Sequence, residues 1–219
     1  MKKKQAAPKA ADGGKGMRKK SHICLAGYLA DEFQAPDLMR YRKAFCFGSI
    51  LPDLNPGMVT SPHEFETTFD GIKELICRLT SEWDGSEYKE RAFWRGLGVV
   101  MHYLADYFTF PHNTSFQGSL KDHCLYERDL KHQLRGYVKT PEARCVFHIQ
   151  KLEAGRCRDE QELFEYIQES HRRYMQEEHS PLEDCRWIAR LCSRVFMSVI
   201  CLAENQVYQT IPGALAESA

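Results

Sequence analysis

No Cys-x-x-Cys pair occurs among the nine cysteines of this 219-residue chain. That spacing is the usual half of a structural zinc site or a redox-active disulfide, and an odd total does not close into a disulfide framework. Cys46, Cys77, Cys192 and Cys201 fall at apolar helical positions. They read as reduced, buried small hydrophobes of an intracellular protein, not as zinc ligands. Long apolar runs are missing too. The longest in the body, Val195 to Ala203, contains Ser198 and is too short to span a bilayer. The first 20 residues hold no apolar run, so no secretory signal is read there and a cytoplasmic location is expected. No alternating strand pattern or two-residue hairpin signal appears. A Gly-x-Ser-x-Gly elbow, a phosphate loop ending in Gly-Lys-Ser/Thr, a dinucleotide glycine fingerprint and His-Glu-x-x-His are all absent. Candidate chemistry therefore rests on His, Asp and Glu.

What is present, 43% hydrophobic and 27% charged residues, suits one soluble domain with a sizeable core, or at most two small ones. The formal charge of zero hides an asymmetry. Residues 1–20 carry eight of the 30 Lys and Arg but one of the 30 acids, leaving 22 basic and 29 acidic residues for the rest. We expect residues 1–20 to be a disordered, solvated basic tail, with peripheral contact to an anionic membrane as the functional alternative. Met17 is a second candidate start. Residues 21–210 are expected to form the domain and 211–219 a flexible end.

Nearly every segment after the tail reads as helix. Ser21 opens one to about Phe33, and Asp37 caps another over about Leu38 to Phe47. Leu51 to Gly57 reads as a turn. Ser61-Pro62 with Glu64 is a capping box for a third helix, and Ser86 caps a long one ending near Phe110. Ser119, Thr140-Pro141, Asp159 and Ser180-Pro181-x-Glu183 begin four more, the last reaching about Asn205. The fold expected is all-α, a compact multi-helical domain with a metal site between its central helices.

The stretch Arg95 to His112 is the centre of that reading. From Gly96 to Pro111 it holds one carboxylate, Asp106, and no Lys or Arg. Leu97, Met101, Leu104 and Phe108 form one helical stripe, while Val99, Tyr103, Tyr107 and Phe110 spread apolar surface around the rest. A helix apolar all round is a buried one, so Asp106 needs a partner or a metal supplied from elsewhere. His102 lies one turn before it. With 30 acids in 219 residues, nine histidines give about one His/carboxylate pair at a spacing of four by chance. Three occur: His102/Asp106, His123/Glu127 and His179/Glu183. The third falls at a charged helix junction and reads as a solvated pair. The first two lie on consecutive helices, and His112 sits on the loop between them. Upstream, Asp53 is either a turn-forming Asp or a ligand held with little rotational freedom. His63, in the first turn of a capped helix, reads as exposed, and His22 has the same ambiguity.

Ser21-His22, Pro52-Asp53, His63, His102-Tyr-Leu-x-Asp106, Pro111-His112 and His123-x-x-Tyr126-Glu127 occur in one order. That order resembles the bacterial zinc-dependent phospholipase C family, relatives of the single-strand zinc nucleases. The likeness runs from about residue 21 to 130, and the closing His-x-x-x-Glu resembles the lipase branch. It implies two or three zinc ions. Asp53, His63, His102 and Asp106 would hold one, and His112, His123 and Glu127 another. His22, with Asp106 as bridge, would hold the third. It also implies a metal-bound hydroxide attacking the phosphorus of a phospholipid or other phosphodiester, with Asp53 as the catalytic carboxylate that positions the water or takes its proton.

Two departures refine this. Secreted members of the family bind the third zinc through a mature N-terminal Trp; here the first Trp is Trp83, so a dinuclear centre is plausible. Choline-selective members carry an aromatic residue after the Asp53 equivalent, where this chain has Leu54. A phosphoester hydrolase with no stable nucleic-acid partner is the leading expectation. The alternatives are a single-strand nuclease, with Tyr103, Tyr107 and Phe116 as candidate stacking residues, and a non-catalytic metal-stabilised binding module.

Overall fold

The computed structural model describes residues 15–54 and 63–210, and among them there is helix and no strand. The helices are α1 (Lys15–Phe33), α2 (Pro36–Gly48), α3 (Leu51–Leu54), α4 (Phe65–Glu82), α5 (Glu87–Tyr107), α6 (Leu120–Tyr137), α7 (Pro141–Ala154), α8 (Glu160–Tyr174) and α9 (Pro181–Thr210). A 3-10 turn, Phe110–His112, joins α5 to α6. No helix among the described residues is long and apolar enough to cross a membrane.

Most starts follow local chemistry. Ser119 and Asp122 form a reciprocal capping box on α6. Thr140 accepts from Ala143 N on α7, Asp159 from Glu162 N on α8 and Ser180 from Glu183 N on α9. Ser86 precedes α5 in extended backbone but makes no side-chain cap, leaving Glu87 and Glu90 in the first turn to meet the helix dipole.

Several boundaries differ from expectation. α1 begins at Lys15, six residues before Ser21; that stretch has no proline, and the helix is anchored further on by the buried Leu25 and Leu29. α2 begins at Pro36, so Asp37 lies inside its first turn instead of capping it. The expected turn from Leu51 is helical through Leu54, since proline is favourable at the first positions of a helix. α5 stops at Tyr107, three residues short of Phe110. The helix expected from Ser61-Pro62 begins instead at Phe65, with Glu64 at its N-cap in extended backbone and no side-chain cap. Ser61 itself and the second half of the turn expected over 51–57 lie outside the described residues, as do residues 1–14 and 211–219.

α5 is the axis. It packs against α1, α2, α3, α4 and α9, and its residues 97, 98 and 100–107 are all buried. α9 covers the other side and touches α4, α6, α7 and α8 as well. Phe45, Leu97, Met101, Tyr107, Phe108, Phe147, Tyr174 and Phe196 are fully buried in the core, each worth about 1.5–3 kcal/mol of burial. The α2–α5 contact is unusually close. A Cβ on Gly98 would stand 2.2 Å from the Phe45 carbonyl oxygen, and one on Gly48 would stand 2.0 Å from that of Arg95. Only two glycines facing each other let these backbones meet, and that approach sets the carbonyl of Ser49 against α5.

Cys192 is buried as expected, Cys46 and Cys201 are only half-buried, and all nine cysteines are free thiols. Cys77 is exposed, contrary to the sequence reading, because α4 buries the stripe through Phe69, Ile72, Ile76 and Leu79 and Cys77 falls just outside it.

Candidate metal centre

Six elements converge on the buried carboxylate of Asp106. α1 supplies His22, α3 Asp53, the segment before α4 His63, α5 His102 and Asp106, the 3-10 turn His112, and α6 His123 and Glu127. His63 is buried, 7% exposed, so the solvated first-turn position read from sequence is overturned: it precedes α4 and points inward to Asp106.

Asp106 uses both oxygens. Its Oδ2 lies 2.8 Å from His63 Nδ1 and 3.3 Å from His102 Nε2. Oδ1 lies 3.3 Å from His22 Nε2 and 3.9 Å from His112 Nε2. A second carboxylate repeats the pattern: Glu127 Oε1 is 3.2 Å from His112 Nε2 and 3.1 Å from His123 Nε2. His63 Nδ1 and His102 Nε2 are 3.3 Å apart, and the His22 and His102 rings stack at 3.9 Å. Burial pushes the Asp106 carboxyl up, but His112, His102 and His22 outweigh it and hold the group well below the usual carboxylate range. Burial, helped by His22, pulls His102 below the ordinary imidazole range, against the pull of Asp106.

These spacings suit a cation. Four ligands about 2.0–2.1 Å from a tetrahedral zinc lie about 3.3 Å from one another. The donor separations among His22, His63, His102, Asp106, His112, His123 and Glu127 cluster near that value, with the His63–Asp106 pair nearer a hydrogen bond. Among the described residues, three groups of side chains bring ligand atoms within 4.8 Å of one another: His22/Asp53/His102, His63/His102/Asp106 and His112/His123/Glu127. Two buried polar atoms at the same place, His22 Nδ1 and Asp53 Oδ2, have no hydrogen-bond partner. Burying such groups unsatisfied is costly, and a metal or its water would satisfy them. The donors are imidazole and carboxylate with no thiolate, the set of reactive and not purely structural zinc sites.

All eight residues named from sequence therefore meet in one place. Residues 21–180 also match the family model described as zinc dependent phospholipase C. The chain belongs to the zinc-dependent phospholipase C family. No curated protein and no solved structure matches it. Within the phospholipase C family segment, what the sequence reading missed is the layer behind the donors. Ser49 O accepts from His102 Nδ1 (2.9 Å), which leaves Nε2 facing Asp106. Asn113, beside His112, donates from Nδ2 to the carbonyls of Tyr107 and Thr109 and accepts at Oδ1 from His171 (3.0 Å), itself stacked on Phe65 at 4.1 Å. Asp184, fully buried and just past the matched segment, accepts from Phe110 N, Tyr126 OH and Tyr174 OH at 2.9–3.0 Å. It thereby ties the His112 turn, the Glu127 helix and α8 to α9. An acid in the first turn of a helix reads as a dipole partner, so no local pattern marks Asp184. His179, read as half of a solvated pair with Glu183, instead stacks on Phe110 at 4.0 Å, while Glu183 pairs with Arg186.

Proposed function

We propose that this protein is a zinc-dependent phosphodiesterase of the phospholipase C type, with a phospholipid or related phosphodiester as substrate. The observation that carries the reading is the convergence of five imidazoles and three carboxylates from six elements around Asp106 in a chain of this family. Zinc in such a site would polarise a phosphoryl oxygen and make water nucleophilic near neutral pH.

The chain's own residues divide the work. His63, His102 and Asp106 would hold one ion, with Asp53 beside them, and His112, His123 and Glu127 would hold another. With Nδ1 turned to the Ser49 carbonyl, His102 has one nitrogen left, so the His22/Asp53/His102 and His63/His102/Asp106 groups compete for it. Two ions per chain are therefore the expected loading, with His22 and Asp106 Oδ1 as the beginnings of a third. Asp53 Oδ2, buried and without a partner, is the atom placed to orient an attacking water or accept its proton. A small cavity beside Asp106, with His22, His112 and Glu127 on its polar wall and Leu25 and Leu130 on its apolar one, gives a phosphoester oxygen somewhere to sit.

The nuclease alternative loses two of its stacking candidates. Tyr103 is 8% exposed and Tyr107 fully buried, so neither offers a face to a base. Phe116 is partly exposed but rests edge-on against Phe110.

Replacing Asp53 with Asn should lower hydrolysis of a soluble phosphodiester about 100-fold or more while zinc content stays near two per chain by elemental analysis. Unchanged turnover of every phosphodiester by Asp53→Asn would sink the mechanism, and metal-free protein would sink the site.

A further inference from the structure

Away from the metal centre, the outer faces of α2 and α5 meet along a cleft lined by Arg40, Tyr41, Lys43, Phe47, Arg91 and Arg95. Four of these are cations and none is an acid. Beyond residue 20 the chain has 22 basic residues to 29 acidic ones, so such a cleft runs against the average of the whole. Glu87 pairs with Arg40. Lys43, Arg91 and Arg95 make no ion pair among the described residues.

The spacing places these cations deliberately. Arg40, Lys43 and Phe47 follow one stripe of α2, and Tyr88, Arg91 and Arg95 follow one stripe of α5, each at i, i+3, i+7. Apolar side chains stand out among them: Phe47 is 46% exposed, Met39 47% and Tyr88 92%. Arg95 also lines a second cavity of about 390 Å³ between α4 and α5. Leu51, Leu75, Leu79, Trp83 and Phe93 give that cavity apolar walls, with Arg78, Lys89 and one acid, Glu82, alongside. Leu51 opens α3, the helix that carries Asp53 to the metal centre.

Cations interleaved with exposed aromatics are the composition of a surface that seats at the headgroup layer of a bilayer. Lone phosphate would use the cations and leave Phe47 and Met39 without a role. A nucleic acid would pair the same cations with bases stacked on Phe47 and Tyr88, and competition by single-stranded DNA separates it from a bilayer. We propose that the α2–α5 face docks this protein on anionic phospholipid bilayers, with headgroup phosphates on Lys43, Arg91 and Arg95 and with Phe47 and Tyr88 entering the interfacial layer. The docking extends the phospholipid reading above and is read without hydrolysis, so the two stand or fall separately.

The test is sedimentation of the full chain with vesicles of phosphatidylcholine alone or with equal parts of phosphatidylserine. The protein should pellet far more with the mixed vesicles than with phosphatidylcholine alone, and added salt should release most of it. Lys43→Glu with Arg91→Glu should weaken that binding at least about tenfold. The same variant should keep the unfolding temperature and the hydrolysis of a soluble short-chain phosphodiester. Phe47→Ser should remove the part of the binding that resists salt. Lys3→Glu with Lys4→Glu, in the basic N-terminal stretch, should leave most of it. Undiminished binding by the Lys43/Arg91 variant, or an equal loss in the Lys3/Lys4 variant, would overturn the proposal. So would release of the wild-type protein from the vesicles by single-stranded DNA at lower concentration than by salt, which would give the cleft to nucleic acid. Intact vesicle binding with no turnover of a soluble substrate would count against the hydrolase reading alone.

Discussion

Asp106 has no Lys or Arg within a helical turn, yet four imidazoles stand within 3.9 Å of its two oxygens. The sequence shows that this carboxylate is buried and needs a partner, because its helix is apolar all round. The spacings His102-x-x-x-Asp106 and His123-x-x-x-Glu127 also show two of the partnerships. What spacing cannot show is which way a residue outside regular helix turns, and His63 is the case: one helix position decides between solvent and Asp106. Behind the donors, His171 is legible only in three dimensions, since its partners Asn113 and Phe65 lie 58 and 106 positions away. Burial pushes the His171 pKa down to about 4, so the folded protein keeps the ring neutral. The stability this contributes is complete above the unfolded pKa of about 6.5 and is lost as pH falls through about 4. Urea unfolding of metal-free protein between these limits should therefore show a slope, at most about 3 kcal/mol in total, that His171→Gln lacks. Equal slopes for the two proteins would show that the ring does not report on its own burial.

Helix identity was the most legible level. Every helix expected from the caps and the 3.6-residue period is present among the described residues except where Leu51 to Gly57 was read as a turn, and capping side chains explain four of the starts. Packing distances between helices were not legible, because a glycine in a helix gives no sign of what it faces. Gly48 and Gly98 show the consequence. Their mutual approach carries Ser49 O to 2.9 Å from His102, so a helix crossing fixes the orientation of a ring in the candidate metal centre. Gly98→Ala should destabilise the fold by about 1–3 kcal/mol and weaken zinc binding as α2 is forced outward. Gly71→Ala on the exposed side of α4, with nothing within 4 Å of the new methyl, should be neutral or slightly stabilising. Chemical denaturation and a zinc titration of both variants separate a packing effect from a general intolerance of alanine.

At the scale of the molecule, every candidate donor precedes residue 128, while α8 and α9, which brace them, follow residue 159. Asp184 is the clearest link, one carboxylate receiving hydrogen bonds from the His112 turn, the Glu127 helix and α8. Asp184→Ala should cost about 3 kcal/mol in stability by leaving those donors buried without an acceptor. It should also weaken zinc binding about tenfold or more although it touches no donor; an unaltered zinc isotherm would reduce Asp184 to a packing role. One consequence of Asp106 reaches furthest. A single anion lies against both His63/His102 and His22/His112, so occupancy of one half of the centre withdraws charge from the other. Zinc should then load in two unequal steps, the second weaker, and removing Asp106's charge by Asp106→Asn should bring the steps together as it lowers both. Such a centre would sense scarcity: as free zinc declines, one ion departs while its neighbour is retained.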